Sequence, residues 1–337
     1  MQIIGTSDAA QRIRSKATTI SQENKNTVAL AGPDGSGKTR IARFIHHNSH
    51  REAEPFIIFD AKGSDNPEKE IFGQVKTSFL GKTSLSKCAI DEAGAGTLFI
   101  KNLQCVPLKL QLQLLATIQL GGYKPIGATH SIKSLCRYIF SMPQHLKKYI
   151  EDHQLIPELA QLFVNNYIEA PPLKERLEDI EPLAKYFVNH WCINFGIPGK
   201  EISRSAMKLL KRTPWTGNIA ELNKTMLFAV ISANGDSIDT NDLNLHIDNN
   251  WDNYSENQIE QLAIEELVER KLKIFMQQLG KYDVKDLHEA IIKRVEKPLI
   301  RLVMERTKGN QIKAARILGI NRNTLRTKLN KLELRNS

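Results

Sequence analysis

The sequence predicts an α/β domain with a parallel sheet wrapped by helices, then a helical domain, then a small basic all-α tail. Three observations predict it. A glycine-rich phosphate loop follows an apolar run and opens a helix within residues 28–45. Apolar strand candidates alternate with helical stretches up to about residue 170, and beyond it the pattern is helical only. The positive charge is concentrated at the end of the chain.

Gly32-Pro33-Asp34-Gly35-Ser36-Gly37-Lys38-Thr39 fits the pattern G-x-x-x-x-G-K-[ST] at full length. Glycines let backbone N–H groups turn inward on a polyphosphate, and the lysine neutralises its outer charge. Val28 to Ala31 reads as a buried strand, and Arg40 to Ile45 continues as a helix whose N-terminus faces the anion. Gly32, Asp34, Gly35, Ser36, Gly37, Lys38 and Thr39 are therefore the candidate nucleotide-binding residues.

A helix over residues 9–20 leads into the first strand. Further strands are expected at 55–60, 96–100 and 126–130, with an amphipathic helix over 108–118. After Pro171, helices are expected at 180–194, 203–211 and 219–232. Residues 234–257 are rich in Asn and Asp and read as a linker, and a charged helix follows over 259–278. The expected division is 1–170, 171–245, 246–280 and 281–337.

The chain has 337 residues and a formal net charge of +10. Between 281 and 337 lie 15 Lys and Arg against 6 Asp and Glu, so the rest is close to neutral. A basic tail behind a neutral body is the electrostatic footprint of a nucleic-acid-binding module. No apolar stretch approaches the ~20 residues that span a bilayer. The first residues lack a basic and apolar leader. Cys88, Cys105, Cys136 and Cys192 are spaced neither for a metal nor for a redox pair. A cytoplasmic protein with reduced thiols is expected, with no membrane partner and no resident metal site.

In the tail, a helix through residues 299–307 stops at Gly309, and Asn310 can cap a second helix carrying Ala314-Ala315. Gly319-Ile320 makes a short turn, and Asn321 caps a last helix. This is the spacing of a helix-turn-helix. Lys313, Asn321, Arg322, Asn323, Thr324, Arg326 and Lys328 are its candidate DNA-binding residues, with Lys313 and Lys328 assigned to phosphates. Leu287, Ile291, Val295, Leu299, Leu302 and Val303 recur at helical spacing, which predicts a homodimer reading a palindromic double-stranded site.

Gly309-Asn310-Gln311, Ala314-Ala315 and Leu318-Gly319-Ile320-Asn321-Arg322-Asn323-Thr324-Leu325-Arg326 resemble the Fis-type DNA-binding domain of NtrC-like regulators. Ile4-Gly5-Thr6-Ser7, the phosphate loop, Glu70-Ile71-Phe72-Gly73, Gly96-Thr97-Leu98-Phe99, Ala128-Thr129-His130, Pro171-Pro172-Leu173-Lys174-Glu175-Arg176 and Trp215-Thr216-Gly217-Asn218-Ile219-Ala220-Glu221-Leu222 resemble the same family's AAA+ domain, the sigma-54 activator ATPase. The resemblance covers nearly the whole sequence, without the family's receiver domain. It implies an AAA+ core with a helical lid, ATP or ADP as ligand, ring-like assembly and sigma-54 RNA polymerase as a partner.

The departures from the family fall on its chemistry. The family strand after Gly-Thr-Leu-Phe ends in Asp-Glu, for Mg²⁺ and for the attacking water. Lys101 and Asn102 stand there. Asp91-Glu92 precede that strand and are expected to lie away from the phosphates. The loop that grips sigma-54 keeps only Phe79 and Gly81 of its pattern, within Thr77 to Lys82. The arginine-finger positions fall on Ile156 and Leu162, and the lid's sensor arginine on Ala220. The connection between Gln119 and Ala128 reads as about a dozen residues shorter than the family's.

No catalytic residue is therefore assigned. Lys101 joins the nucleotide-binding candidates, because its charge can lean on phosphates in place of a metal. The leading expectation is a DNA-binding regulator that binds nucleotide without productive hydrolysis. Engagement of sigma-54 and dependence on Mg²⁺ are both in doubt. The alternatives are an active sigma-54-dependent ATPase and a protein that joins and tunes the rings of an intact relative.

Overall fold

The computed structural model describes residues 2–23, 27–77, 83–143, 146–164, 166–233, 235–243, 292, 296, 299–304, 306, 307 and 309–331. It divides into two compact units, Met1–Asp248 and Asn249–Ser337.

In the first unit, α1 (Asp8–Gln22) is capped by Ser7, whose hydroxyl accepts from the Ala10 N–H. β1 (Thr27–Ala31) is buried throughout and runs through the phosphate loop into α2 (Lys38–His47). β2 (Phe56–Asp60) and α3 (Pro67–Phe72) follow, then a hairpin of β3 (Val75–Thr77) and β4 (Thr83–Leu85). Next come α4 (Ala89–Ala93), β5 (Thr97–Lys101) and α5 (Leu108–Leu120). A small hairpin of β6 (Gly122–Tyr123) and β7 (Ile132–Lys133) leads to β8 (Arg137–Met142). α6 (Leu146–Glu151), α7 (Pro157–Gln161) and β9 (Tyr167–Glu169) complete this part.

The main sheet is parallel, in the order β2-β5-β8-β1-β9. Alternate residues bury on its two faces, as a strand's period of two dictates. Ala29, Leu98, Ile100 and Phe140 pack with Leu103, Leu110, Leu114 and Phe163. Val28, Leu30, Phe99 and Ile139 pack against Ile13 and Ala17 of α1 and Ile41 and Ile45 of α2. Each fully buried side chain of this kind contributes about 1.5–3 kcal/mol.

One strand assignment is corrected. Residues 126–130 are not a strand; the fourth parallel strand is β8. All six residues of β8 are buried between β1 and β5, whereas Gly127 has φ +77° and Thr129 and His130 are exposed. A three-letter resemblance at 128–130 outweighed the apolar run at 138–142. The connection from α5 to the strand is therefore residues 121–136 and holds a hairpin.

Beyond the sheet the first unit is helical. α8 (Ile180–Phe195) packs on α10 (Asn218–Ser232), with α9 (Arg204–Arg212) against α8. Trp215 is buried and its indole N–H donates to the Leu210 carbonyl at 2.8 Å.

In the second unit, residues 299–304 are helical, followed by α11 (Gln311–Leu318) and α12 (Arg322–Lys331). Ile300, Ala314, Ala315, Leu325 and Leu329 form its core. Asn310 caps α11 by accepting from Ile312 and Lys313, and Gly319, with φ +65°, ends it. Of the linker expected at 234–257, residues 235–243 are described, with Ser237 and Ile238 paired to Glu201 and Ile202 and with Ile238 and Leu243 buried; the rest of it, and all of the charged helix at 259–278, lie outside the described residues. Among the described residues no helix is long and apolar enough to cross a membrane.

Candidate functional site

The phosphate loop lies where β1 ends and α2 begins, at the carboxyl edge of the sheet. Gly32, Gly35 and Gly37 take φ of +145°, +74° and +98°, which the turn of the loop requires. No side chain caps α2, so its first N–H groups remain available to an anion. The Lys38 ammonium reaches back to the carbonyls of Gly32 at 2.5 Å and Pro33 at 2.9 Å, and lies 3.7 Å from Asp34. Burial holds it below the ordinary lysine range, and the charge of Lys101 pushes the same way while Asp34 opposes. Lys38 and Lys101 are therefore near enough for their charges to oppose each other.

The helical part closes directly on this loop. Arg176, itself buried, donates to the Ser36 carbonyl at 2.8 Å. Asn218, at φ +57°, donates to the Asp34 carbonyl at 2.8 Å and accepts from the Leu173 N–H at 2.9 Å. The Ala220 N–H donates to Gly35 at 3.2 Å. A Cβ on Gly35 would lie 2.2 Å from the Gly217 carbonyl oxygen, so only glycine permits this approach. Ala220, where the resemblance places the family's sensor arginine, thus meets the phosphate loop through its backbone N–H.

Asp60 and Lys101 end neighbouring strands and are in register. The Lys101 ammonium lies 2.9 Å from Asp60 Oδ2, and the Asn102 amide donates to Asp60 Oδ1 at 2.7 Å. Asn102 takes φ +58°, and its N–H donates to Ser141 Oγ at 3.3 Å. Burial would raise the Asp60 pKa, but the bonds from Lys101 and Asn102 and the charge of Lys101 hold it below the ordinary carboxylate range. Asp91 and Glu92 belong to α4, which precedes the start of β5, at the other end of that strand. Ile156 and Leu162 pack against the apolar core.

The glycine turns, the uncapped helix start and the Lys38 ammonium fit a polyphosphate. Among the described residues no three His, Cys, Asp or Glu are arranged to hold a metal. Both oxygens of Asp60 are engaged, and Asp34 lies exposed near Lys38.

Sequence reasoning missed three residues here: Asp60, Arg176 and Asn218. Asp60 was legible as the polar end of an apolar strand, since parallel strands bring their carboxyl ends together. The contacts of Arg176 and Asn218 join segments 140 and 184 residues apart and leave no local trace.

In the second unit, Asn321, Arg322, Asn323, Thr324 and Arg326 are exposed, while Leu325 and Leu329 of the same helix face the core. Asn321 accepts from the Asn323 N–H at 2.9 Å, as a helix cap does. Lys313 is exposed on α11. Lys328 is half-buried and pairs with Glu296 at 2.5 Å. Val303 packs on the internal core, Leu299, Leu302 and Ile292 are exposed, and Leu287, Ile291 and Val295 lie outside the described residues. So do Ser78 to Lys82, the greater part of the expected sigma-54 loop, beyond Thr77 at the end of β3.

Comparison with known proteins adds the family. Residues 3–165 match the Sigma-54 interaction domain, residues 174–260 the AAA+ ATPase lid domain, and residues 291–332 the bacterial regulatory protein, Fis family. The DNA-binding transcriptional regulator NtrC of Azospirillum brasilense is 32% identical over 339 residues, covering 99% of this chain and 70% of the relative. NtrC of Rhizobium meliloti (strain 1021) is 30% identical over 340 residues, with 98% and 70% covered. The structure of NtrX from Brucella abortus in complex with ADP superposes with a TM-score of 0.63 at 24% identity, covering 98% of this chain and 69% of that one, which shows a shared fold. The chain therefore belongs to the NtrC-like family of DNA-binding transcriptional regulators, with a sigma-54 interaction domain of AAA+ fold, an AAA+ lid and a Fis-type helix-turn-helix.

Proposed function

We propose that this regulator takes up ATP or ADP in its core and binds DNA through its tail without productive hydrolysis. The observation that carries this reading is the end of β5, where Lys101 and Asn102 hold Asp60 instead of offering carboxylates to a metal and a water. Phosphoryl transfer depends on metal charge, a water-positioning group and, in trans, an arginine worth ~10³–10⁵ in rate. Ile156 and Leu162 pack as core side chains, and Ala220 contributes its backbone. Uptake is supported by the complete loop around Lys38, and the similar fold of NtrX was solved with ADP. Lys101 faces the phosphates in place of a metal, so uptake does not require Mg²⁺.

Divisions near residues 170, 245 and 280 separate core, lid, connector and tail. α12 enters a major groove with Arg322, Asn323, Thr324 and Arg326 toward base edges, while Lys313 and, once released by Glu296, Lys328 meet phosphate. The exposed Ile292, Leu299 and Leu302 form the apolar face that pairs two tails on a palindromic site in the cytoplasm.

The test is an ATPase assay on the purified full chain with Mg²⁺, across protein concentrations. Turnover is expected at background. Turnover that Lys38→Ala abolishes would overturn the reading and establish a working sigma-54 activator.

A further inference from the structure

The end of β2 carries an acid, and the end of β5 carries a cation and an amide. A metal-dependent site of this fold class has its acids on the strand where Lys101 and Asn102 now stand. Among the described residues, both of these side chains reach the Asp60 carboxylate, across one strand spacing. Asp60 also receives the Lys62 N–H at 3.2 Å, so its carboxylate is fixed from three directions. Its charge lies at the same carboxyl edge of the sheet as the phosphate loop, with β5 and β8 between their strands, and is compensated locally by Lys101. If the ammonium were removed, that carboxylate would be left uncovered on the edge where a polyphosphate binds.

We propose that Asp60 is the positioning residue of this site, and that Asp60 and Lys101 together fill the role of a carboxylate-bound divalent cation toward a nucleoside polyphosphate. The proposal rests on the reading that Lys101 faces the phosphates. Asp60 aims the ammonium through Oδ2, and Asn102 holds Oδ1, so the carboxylate is oriented toward Lys101. Removing the resident cation should therefore convert Asp60 from an ally of binding into a group that needs a divalent ion.

A fluorescent ATP analogue titrated onto the full-length protein, in chelator and in Mg²⁺, tests this. The ratio of the two dissociation constants should be near one in the unmodified protein. In Lys101→Met it should rise to roughly tenfold or more, with weak binding in chelator restored by Mg²⁺, a change of about 1.4 kcal/mol. In Asp60→Asn with Lys101→Met it should return toward one, and Lys101→Arg should stay near one. Equal ratios in Lys101→Met and the double variant would remove Asp60 from the site. A strict Mg²⁺ requirement in the unmodified protein would instead remove Lys101 from the phosphates. Thermal unfolding checks that each variant folds, and Lys101→Gln replaces Lys101→Met in the same comparison if the latter does not.

Discussion

The phosphate loop and the end of β5 lie on one edge of one sheet, with β8 between their strands, yet they carry different things. The loop retains every residue of its pattern, from Gly32 to Thr39. The strand end carries Lys101 and Asn102, where the family resemblance leads one to expect an acid pair, and both reach Asp60. Binding a polyphosphate needs backbone N–H groups, a helix start and one cation, and these come as a local package. Hydrolysis needs charges contributed by several strands and by neighbouring subunits, and each can be lost alone. On the proposed reading, the contrast teaches that binding and turnover are separable within one fold.

The sharpest way to break the comparison is Lys38→Ala. This ammonium should serve the phosphates and already pins the carbonyls of Gly32 and Pro33, so its loss removes charge and loop shape together. Hydrogen bonds to charged groups are worth about 1.5–3 kcal/mol each. Calorimetric titration should show nucleotide affinity lowered by ~100-fold or more; retained affinity would mean that the loop is not the binding element.

Next in size is the attempt to rebuild the lost acids. Lys101→Asp with Asn102→Glu would set two new carboxylates against Asp60 and remove both of its partners. Repulsion of roughly 2 kcal/mol after screening should lower the melting temperature by about 4–8 °C. Adding Asp60→Asn should recover most of that loss, and turnover should remain at background because no arginine stands at 156, 162 or 220. Equal melting temperatures in the double and triple variants would show that Asp60 is not coupled to this strand end.

The tail extends the contrast to two basic residues on one helix. Arg326→Ala should relax preference at one base step by ~1–3 kcal/mol. Lys328→Ala should weaken all sequences alike, and by less, because Glu296 already holds that ammonium. Quantitative footprinting at several salt concentrations separates the two, and equal loss of specificity from both would put Lys328 on a base.

The smallest effect is in pH. The folded Asp60 carboxyl lies below its ordinary pKa, so the unfolded chain binds that proton more readily. Its contribution is complete above ~3.9 and is lost as pH falls further. The difference in melting temperature between unmodified protein and Asp60→Asn should be constant above pH 5 and shrink toward zero in stronger acid. A difference that varied between pH 5 and 8 would point to another titrating group.

Several elements could be read directly from the sequence because their causes are local. The loop's glycines, the apolar runs of β1 and β5, the Asn310 cap and the Gly319 stop each act within a few residues. The helical lid and the tail's helix-turn-helix followed from the same periodicities and from charge. Residues 126–130 show where a short letter match misleads: β8 is a strand because six consecutive side chains bury between two neighbours, which only the assembled sheet provides.

What the tertiary structure alone decided is the partnership at the site. Lys101 and Asn102 could be seen to be wrong for hydrolysis, but not to be bound to anything. Asp60 lies 41 residues earlier in the chain and meets Lys101 only because β2 and β5 pair in parallel register. Asn218 and Ala220 reach the phosphate loop where Gly35, having no Cβ, lets the Gly217 carbonyl approach, and Arg176 reaches it at Ser36. Residue type sets what a side chain can do, whereas strand order and close packing set which distant charges come within about 3 Å, where a hydrogen bond forms.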